Sequence, residues 1–331
     1  MASDKLYVGI DLGGTKILTG LVNEAGQVIA EDYRKTRAKR GLDFVIGRMA
    51  ESAMRVIQTA GVPAGSIQAV GIGVPGPVDT DEGIVTQPPN LPGWRNVPVR
   101  ALIEETLRIP TFLENDANAA ALGEYLFGAG RGSTHMLYVT VSTGIGGGFV
   151  LDGALYHGAD GAAGEIGHVT ILPRGPHCGC GNRGCLESVA SGTAIAREGR
   201  ELVIRGVPTL ISELAGQDPE AVTAKVVAEA AHQGDSEAQE IIREAMGYLG
   251  VGIANLVNLL NPEIVVMGGS LIKLGDILFN SVRRAVKRRA FPIASQRVRI
   301  VPAELGDRVG VCGAAAVAIQ AWRQQEAAGS S

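Results

Sequence analysis

Apolar, β-branched runs at Leu6 to Ile10, Ile17 to Val22 and Val28 to Tyr33 are separated by short glycine-containing turns. Runs of this length bounded by turn residues predict strands, and three in succession predict an antiparallel meander. A helical pattern from Leu42 to Ala60 follows, then a strand from Ile67 to Val74 ending in Pro75-Gly76-Pro77, a helix near Val99 to Leu107 and a strand from Thr111 to Leu113. Strands alternating with helices predict an α/β layered architecture. After a helix from about Asn118 to Phe127, a second meander begins with Met136 to Val141 and continues through Gly148 to Leu151, with its own glycine loop from Ser142 to Gly148. Long helices near Val222 to His232 and Ser236 to Leu260, a strand from Ile264 to Met267 and a final Ala-rich helix from Ala314 to Gln325 complete the pattern. The layout of the first half thus recurs in the second.

A chain of 331 residues exceeds the roughly 100 to 200 residues usual for one domain, so two packed domains are expected. Hydrophobic residues at 46% and charged residues at 19% are ordinary for a globular protein and argue against disordered, collagen-like or membrane classes. Glycine stands out, with 46 residues, about twice the usual fraction of roughly 7%. These glycines cluster in loops beside apolar strands, where bare backbone can approach a ligand. A net charge of −4 offers no broad basic surface, so no nucleic-acid partner is expected, and the basic run from Lys35 to Arg40 reads as a solvated face. The N-terminus shows no charged segment followed by an apolar one, and no apolar run reaches about 18 residues, so the expectation is a cytoplasmic protein without a membrane partner.

Two glycine loops carry candidate chemistry. Asp11-Leu12-Gly13-Gly14-Thr15-Lys16 joins two strands, unlike a P-loop or a Rossmann loop, each of which opens a helix. In that setting the glycines expose backbone N–H groups to a phosphate, Thr15 adds a hydroxyl, Lys16 adds positive charge, and Asp11 can orient Mg²⁺ or its water. An ordinary hairpin with a glycine bulge fits the same residues. The second loop, Ser142-Thr143-Gly144-Ile145-Gly146-Gly147-Gly148, supplies a second set of donors at the equivalent place. Two such loops can grip one triphosphate and face a nucleotide into a cleft between the halves. Met267-Gly268-Gly269-Ser270 either lets an adenosine ring lie on bare backbone or is a simple strand-to-helix turn.

Glu114-Asn115-Asp116-Ala117-Asn118 falls at the end of a predicted strand, where open α/β sheets place ligand-binding residues. Phosphoryl transfer to an alcohol needs a carboxylate to accept the hydroxyl proton, a role open to Asp116; equally, Asp116 or Asn118 can cap the helix that follows. Glu165-Ile166-Gly167-His168 and Glu187 offer carboxylates and an imidazole that suit the hydroxyls of a sugar. Paired carboxylates also suit glycoside hydrolysis, but phosphate loops have no part in that reaction.

Three of the four cysteines, Cys178, Cys180 and Cys185, lie within eight residues, a spacing that favours metal over a disulfide framework; Cys312 stands alone and is assigned to the core. With His168 they form a Cys₃His set separated by nine, one and four residues, closed to a substrate water and therefore of the structural zinc type. Zinc held this way contributes on the order of 10 kcal/mol to local folding, enough to hold His168, Glu165 and Glu187 in place.

Taken together, Cys178-Gly-Cys-Gly-Asn-Arg-Gly-Cys-Leu-Glu187, Glu165-Ile-Gly-His168, Asp11-Leu-Gly-Gly-Thr-Lys16 and Asn115-Asp116 resemble the ROK family of sugar kinases and repressors, and specifically its bacterial glucokinase branch. The resemblance runs from Asp11 to about Gly313. It implies an actin-like, duplicated ribonuclease-H-type α/β fold with an inter-domain active-site cleft. The small domain would take residues 1–117, with the helix at 314–331 returning to it, and the large domain would take 118–313 with the zinc loop. It further implies that Asp116 accepts the proton of the sugar 6-hydroxyl, that Asn115, Glu165, His168 and Glu187 hold the sugar, and that Gly76 and Asn90 border it. His168 would join zinc to sugar through its two nitrogens. ATP would contact Asp11, Gly13, Gly14, Thr15, Lys16, Thr143, Gly144, Gly268 and Gly269. Closure over the sugar would exclude water. Members are commonly homodimers or tetramers.

The expected reaction is ATP-dependent phosphorylation of glucose to glucose 6-phosphate. Mannose, fructose, N-acetylmannosamine and N-acetylglucosamine are alternative substrates, and polyphosphate or ADP alternative donors. Repressors of the family carry an N-terminal helix-turn-helix module, for which a first strand at Leu6 leaves no room. A cytoskeletal or chaperone ATPase on the same fold leaves the zinc loop unexplained.

Overall fold

The structure, a computed structural model, describes residues 5–88 and 90–329; the outermost ends of the domain ranges drawn from the sequence lie outside these. The chain begins with strands β1 (Leu6–Leu12), β2 (Lys16–Asn23) and β3 (Val28–Lys35), helix α1 (Leu42–Ala60) and strand β4 (Ile67–Val74). A small hairpin of β5 (Val78–Asp79) and β6 (Ile84–Val85) precedes α2 (Val99–Leu107), β7 (Thr111–Asn115) and α3 (Asp116–Phe127). The second half opens with β8 (Met136–Val141), β9 (Ile145–Leu151) and β10 (Ala154–Leu155). Helices α4 (Leu186–Ala190), α5 (Gly192–Ile204), α6 (Leu210–Leu214), α7 (Ala224–His232) and α8 (Ser236–Leu260) follow, then β11 (Ile264–Gly268), α9 (Asp276–Arg289), α10 (Pro292–Arg297), β12 (Arg299–Pro302) and α11 (Val309–Gly329).

The two five-stranded sheets have the orders β3-β2-β1-β4-β7 and β10-β9-β8-β11-β12. Counting only the strands that belong to each sheet, the third, second, first, fourth and fifth in chain order lie side by side in both, so the duplication expected of an actin-like fold is written in the topology. β1 and β2 pair antiparallel, as do β2 and β3, whereas β1, β4 and β7 run parallel.

Packing divides the chain into two units, one of residues 1–138, 148–164 and 303–331, the other of 139–147 and 165–302. In the first, β1 is buried on both faces because its alternate side chains serve two layers. Leu6, Val8, Ile10 and Leu12 join Val45, Met49, Ala53 and Val56 of α1 in one cluster, while Tyr7 packs with Ala318 and Ile319 of α11 in another. On the α11 side the sheet carries Gly9 and Gly71, where a Cβ would collide with backbone of Val311 and Ala314; the missing side chains let the Ala-rich helix lie directly on the strands. α3 packs on α11 through Ala119 and Leu122 against Ala316 and Val317, which groups it with the first unit, whereas the boundary read from the sequence leaves most of it in the second.

In the second unit the wholly buried β11 runs parallel to β12, and the amphipathic α8 packs against α9. The Asp235 side chain caps α8 by accepting the Ala238 N–H at 2.7 Å. Among the described residues no helix is long and apolar enough to cross a membrane.

Several boundaries differ from the sequence expectation. β9 starts at Ile145 rather than Gly148, so the glycine loop shrinks to Ser142–Gly144; at Gly148, inside the strand, a Cβ would press on Ala121. The turn after Gly269 is a short 3₁₀ segment, Ser270–Leu274, before α9 begins. α11 starts five residues earlier than expected, at Val309.

Candidate active site

In the first unit, β7 delivers Asn115 and Asp116 to the mouth of the sheet. The parallel pairing of Val74 with Asn115 brings the Pro75-Gly76-Pro77 turn alongside. Asn115, and neither Asp116 nor Asn118, is the N-cap of α3: its Oδ1 accepts the N–H groups of Ala117 at 2.9 Å and Asn118 at 3.2 Å. Its Nδ2 donates to the carbonyl of Gly76 at 3.1 Å, and Gly76 itself has a φ of 92°. Asp116 opens the helix with an exposed carboxylate whose Oδ1 accepts the Ala117 N–H at 2.8 Å. The capping role, expected of Asp116 or Asn118, thus falls to Asn115.

The first glycine loop closes through the N–H of Gly13 on the carbonyl of Lys16 at 2.8 Å, and Thr36 Oγ1 donates to the carbonyl of Gly13 at 2.6 Å. Lys16 Nζ stands 3.7 Å from Asp11 Oδ2. Burial pushes the Asp11 carboxyl above its ordinary range, and Lys16 opposes that only in part. Gly14 faces Asn90 so closely that a Cβ would lie 2.6 Å from the Asn90 Cβ, which brings the glycine loop and Asn90 together.

In the second unit, Ser142, Thr143 and Gly144 are anchored from α5. The Gly192 N–H donates to Ser142 O at 2.7 Å, and Thr193 reaches Thr143 O with both its N–H at 3.2 Å and its hydroxyl at 2.8 Å. Beside them lies a cavity of about 540 Å³ lined by the hydroxyls of Ser142, Thr143, Thr193, Thr223 and Ser270 and by Arg197, Arg200 and Lys225, with apolar walls from Ala196, Val222 and Leu271. Arg197 is paired with Glu198 at 2.7 Å and Arg200 with Glu220 at 3.6 Å; hydroxyl-bearing and cationic residues next to apolar surface suit a phosphorylated, partly apolar ligand such as a nucleotide. Gly268 ends β11 buried, and Gly269, with φ 86°, is glycine because a Cβ would strike the backbone of Val141. Ser270 Oγ then meets Ser142 Oγ at 2.9 Å.

Glu187, in the first turn of α4, accepts the Ile145 N–H on Oε2 at 2.9 Å and lies against Gly144. Two residues earlier, Cys185 joins Cys178, Cys180 and His168 in a cluster whose ligand atoms all lie within 4.8 Å of one another. Cys180 and Cys185 sulfurs are 3.7 Å apart, and Cys178 Sγ is 3.6 Å from His168 Nδ1. A tetrahedral zinc with the usual bond lengths sets sulfurs about 3.7 Å apart and sulfur from nitrogen about 3.5 Å, so both donor set and spacing fit that ion. His168 Nε2 points the other way, 3.8 Å from Glu165 Oε2.

Within their own units, the sequence-predicted residues therefore fall into two groups. Gly76, Asn115 and Asp116 lie together in the first unit, where Asp11 and Lys16 also meet and Gly14 abuts Asn90. In the second unit Glu165, His168 and the three cysteines lie together, with Glu187 tied to Gly144 and Thr143 to α5. Sequence reasoning missed the polar lining from α5 and α7, above all Thr193, Arg197, Arg200 and Lys225. Only the capping serine, Ser191, marked the start of α5 in the sequence, and nothing local tied it to the glycine loop.

The profile of the ROK family matches residues 7–321. A glucokinase from Thermotoga maritima is 42% identical over 310 residues, spanning 94% of this chain and 96% of the relative. A putative xylose repressor from a Caldicellulosiruptor species is 38% identical over 315 residues, 95% of this chain and 78% of the relative. Among solved structures, a ROK family glucokinase from Streptomyces griseus in complex with glucose and AMPPNP superposes with a TM-score of 0.80 at 33% identity, covering 95% of this chain and 99% of that one.

Proposed function

Because the chain belongs to the ROK family, we propose that it is an ATP-dependent kinase of glucose, transferring the γ-phosphoryl group to the 6-hydroxyl. The observation that carries this reading is the arrangement at the end of β7, where Asn115 caps the helix and bonds Gly76 and the solvent-exposed Asp116 opens the helix beside them.

In the reaction the 6-oxygen of the sugar passes its proton to Asp116 as it bonds to the γ-phosphorus. The bond from that phosphorus to the bridging oxygen breaks, and ADP leaves with the electron pair. Gly76, Asn90 and Asn115 of the first unit and Glu165, His168 and Glu187 of the second supply the acceptors and donors that the hydroxyls of a sugar require. The loop at Asp11, Gly13, Gly14, Thr15 and Lys16, with Thr143, Gly144, Gly268 and Gly269, holds ATP, to which the cavity lining adds Thr193, Arg197 and Lys225. Asp11 would hold Mg²⁺ or its water, an ion that neutralises charge on the phosphates when bound. His168, Cys178, Cys180 and Cys185 would hold zinc, which when bound cross-links the loop carrying His168 to α4. The same reading takes the protein to be cytoplasmic and a homodimer or tetramer, without a nucleic-acid partner.

The test is formation of glucose 6-phosphate from glucose and Mg-ATP, read through glucose-6-phosphate dehydrogenase. Glucose-dependent reduction of its nicotinamide cofactor is expected; none at any ATP concentration would overturn the assignment.

A further inference from the structure

Glu114 ends the stretch of β7 that leads into Asn115 and Asp116, and only 4% of it is exposed. Both carboxylate oxygens are engaged. Oε1 accepts the backbone N–H of Asn115 at 2.8 Å and the side-chain amide of Asn118 at 3.1 Å, and Oε2 lies 2.7 Å from Nε2 of His157. A carboxylate removed from water requires a cation or several donors, and here it has both. His157 follows β10 and begins a closed loop, since its carbonyl accepts the Ala163 N–H at 3.0 Å. The ring is 36% exposed and faces two acids, Glu114 on β7 and Asp81 in the β5–β6 turn. The hydrogen bond to Glu114 leads, burial opposes it, and attraction to Glu114 and Asp81 adds to it, so the imidazole keeps its proton above the usual histidine range.

We propose that Glu114 and His157 are a positioning pair for the base Asp116, with Glu114 fixing the Asn115 peptide and the first turn of α3, and the His157 imidazolium holding Glu114. The inference rests on the reading of Asp116 as base. One peptide orientation sets three things at once: the cap Asn115 places on α3, its bond to Gly76, and the direction from which Asp116 leaves the strand. The N–H of that peptide is the one Glu114 Oε1 holds. Removing the charge of His157 leaves a buried anion with only the Asn115 and Asn118 donors, which pulls on the residues beside the base. Displacements of about 1 Å at a reacting group lower rates by up to about 100-fold.

The experiment measures kcat, both KM values and thermal unfolding across pH for the wild type, His157→Gln, His157→Lys, Glu114→Gln and Asp116→Asn. Loss of the cation in His157→Gln, and of the anion in Glu114→Gln, is expected to lower kcat by at least about tenfold while the KM for ATP stays within about twofold. Their double variant is expected to be no slower than the slower single one, as for residues acting as a unit. The wild-type kcat should fall as pH rises through the raised value of His157. That alkaline limb should vanish in His157→Gln and move to higher pH in His157→Lys, which restores the cation and most of kcat. A folded His157→Gln with wild-type kcat and an unchanged alkaline limb overturns the proposal, as does one whose unfolding temperature alone falls. If Glu114→Gln does not fold, the two variants of the half-exposed His157 decide the matter. Normal turnover in Asp116→Asn would instead remove the base itself, whereas a slow Asp116→Asn beside a normal His157→Gln removes only the positioning pair.

Discussion

The imidazole of His168 stands between two chemistries: its Nδ1 lies 3.6 Å from the sulfur of Cys178, and its Nε2 lies 3.8 Å from Glu165 Oε2. On the proposed reading, zinc on the cysteine side would fix the ring and so present its other nitrogen in one direction, as recognition of a single hydroxyl demands. Glu187 follows Cys185 by two residues and holds the Ile145 N–H, so the same cluster also steadies the strand that leaves the Thr143–Gly144 loop.

Cys180→Ser tests this cluster directly. The wild type is expected to carry one zinc per chain by elemental analysis and the variant to lose it, with a drop of several kcal/mol in unfolding free energy. The KM for glucose should rise more than that for ATP, because the loop displaced is the one bearing His168 and Glu165. A variant that retains its full equivalent of zinc would contradict the ligand set.

Asp11 gives a stability signature with a definite sign. Its carboxyl is raised in the folded protein by burial, so folding is favoured while it is protonated, and that contribution is lost as pH rises through the folded value. Asp11→Asn is therefore expected to be more stable than the wild type near pH 7, with the gain shrinking to nothing in acid, while Mg-ATP-dependent turnover collapses. Urea unfolding from pH 3 to pH 8 measures it; a variant less stable at pH 7 would contradict the assignment of burial as the dominant influence.

Glu124 is fully buried, and its carboxylate accepts three backbone N–H groups: Ala129 at 2.9 Å and Glu304 at 3.1 Å on Oε2, and Leu305 at 2.8 Å on Oε1. It clasps the approach to α11 onto α3. Glu124→Gln puts an amide donor against one of those N–H groups, and a loss of about 2 to 4 kcal/mol is expected, with kcat within about twofold of wild type. Denaturant titration alongside the activity assay distinguishes this from a catalytic role, which would move kcat first.

Thr193→Val removes the hydroxyl that donates to Thr143 O at 2.8 Å while preserving the bulk of the side chain. Loss of one hydrogen bond of about 1 kcal/mol is expected to raise the KM for ATP about fivefold and leave the KM for glucose unchanged. An unchanged KM for ATP would detach α5 from nucleotide binding.

Much of this was legible in the chain because local signals agreed with the fold. The alternation of β1, with Tyr7 and Gly9 on one face and Val8 and Ile10 on the other, fits a strand covered on both sides, and the cysteine spacing singles out side chains that the structure brings together with His168 in a cluster that could hold a metal. The glycines of β9 misled in the other direction. Gly146 and Gly147 have loop composition, yet they lie in a strand with Gly148, where a Cβ would press on Ala121. Asp116 and Asn118 are the caps expected from the sequence, and the backbone geometry gives the role to Asn115 instead. The pairing of Glu114 with His157 joins residues 43 apart in sequence, and that of Thr193 with Thr143 joins residues 50 apart; no local pattern encodes either.

The central claim is tested most directly by ADP release from Mg-ATP with the purified protein and a panel of glucose, mannose, fructose, N-acetylmannosamine and N-acetylglucosamine. The expected result is the highest kcat/KM on glucose, and a fall in kcat of at least about 100-fold when Asp116 is replaced by asparagine. Turnover confined to another sugar would contradict the substrate assignment. Silence across the panel would contradict the kinase itself and favour a sugar sensor of the kind to which the repressor relatives belong.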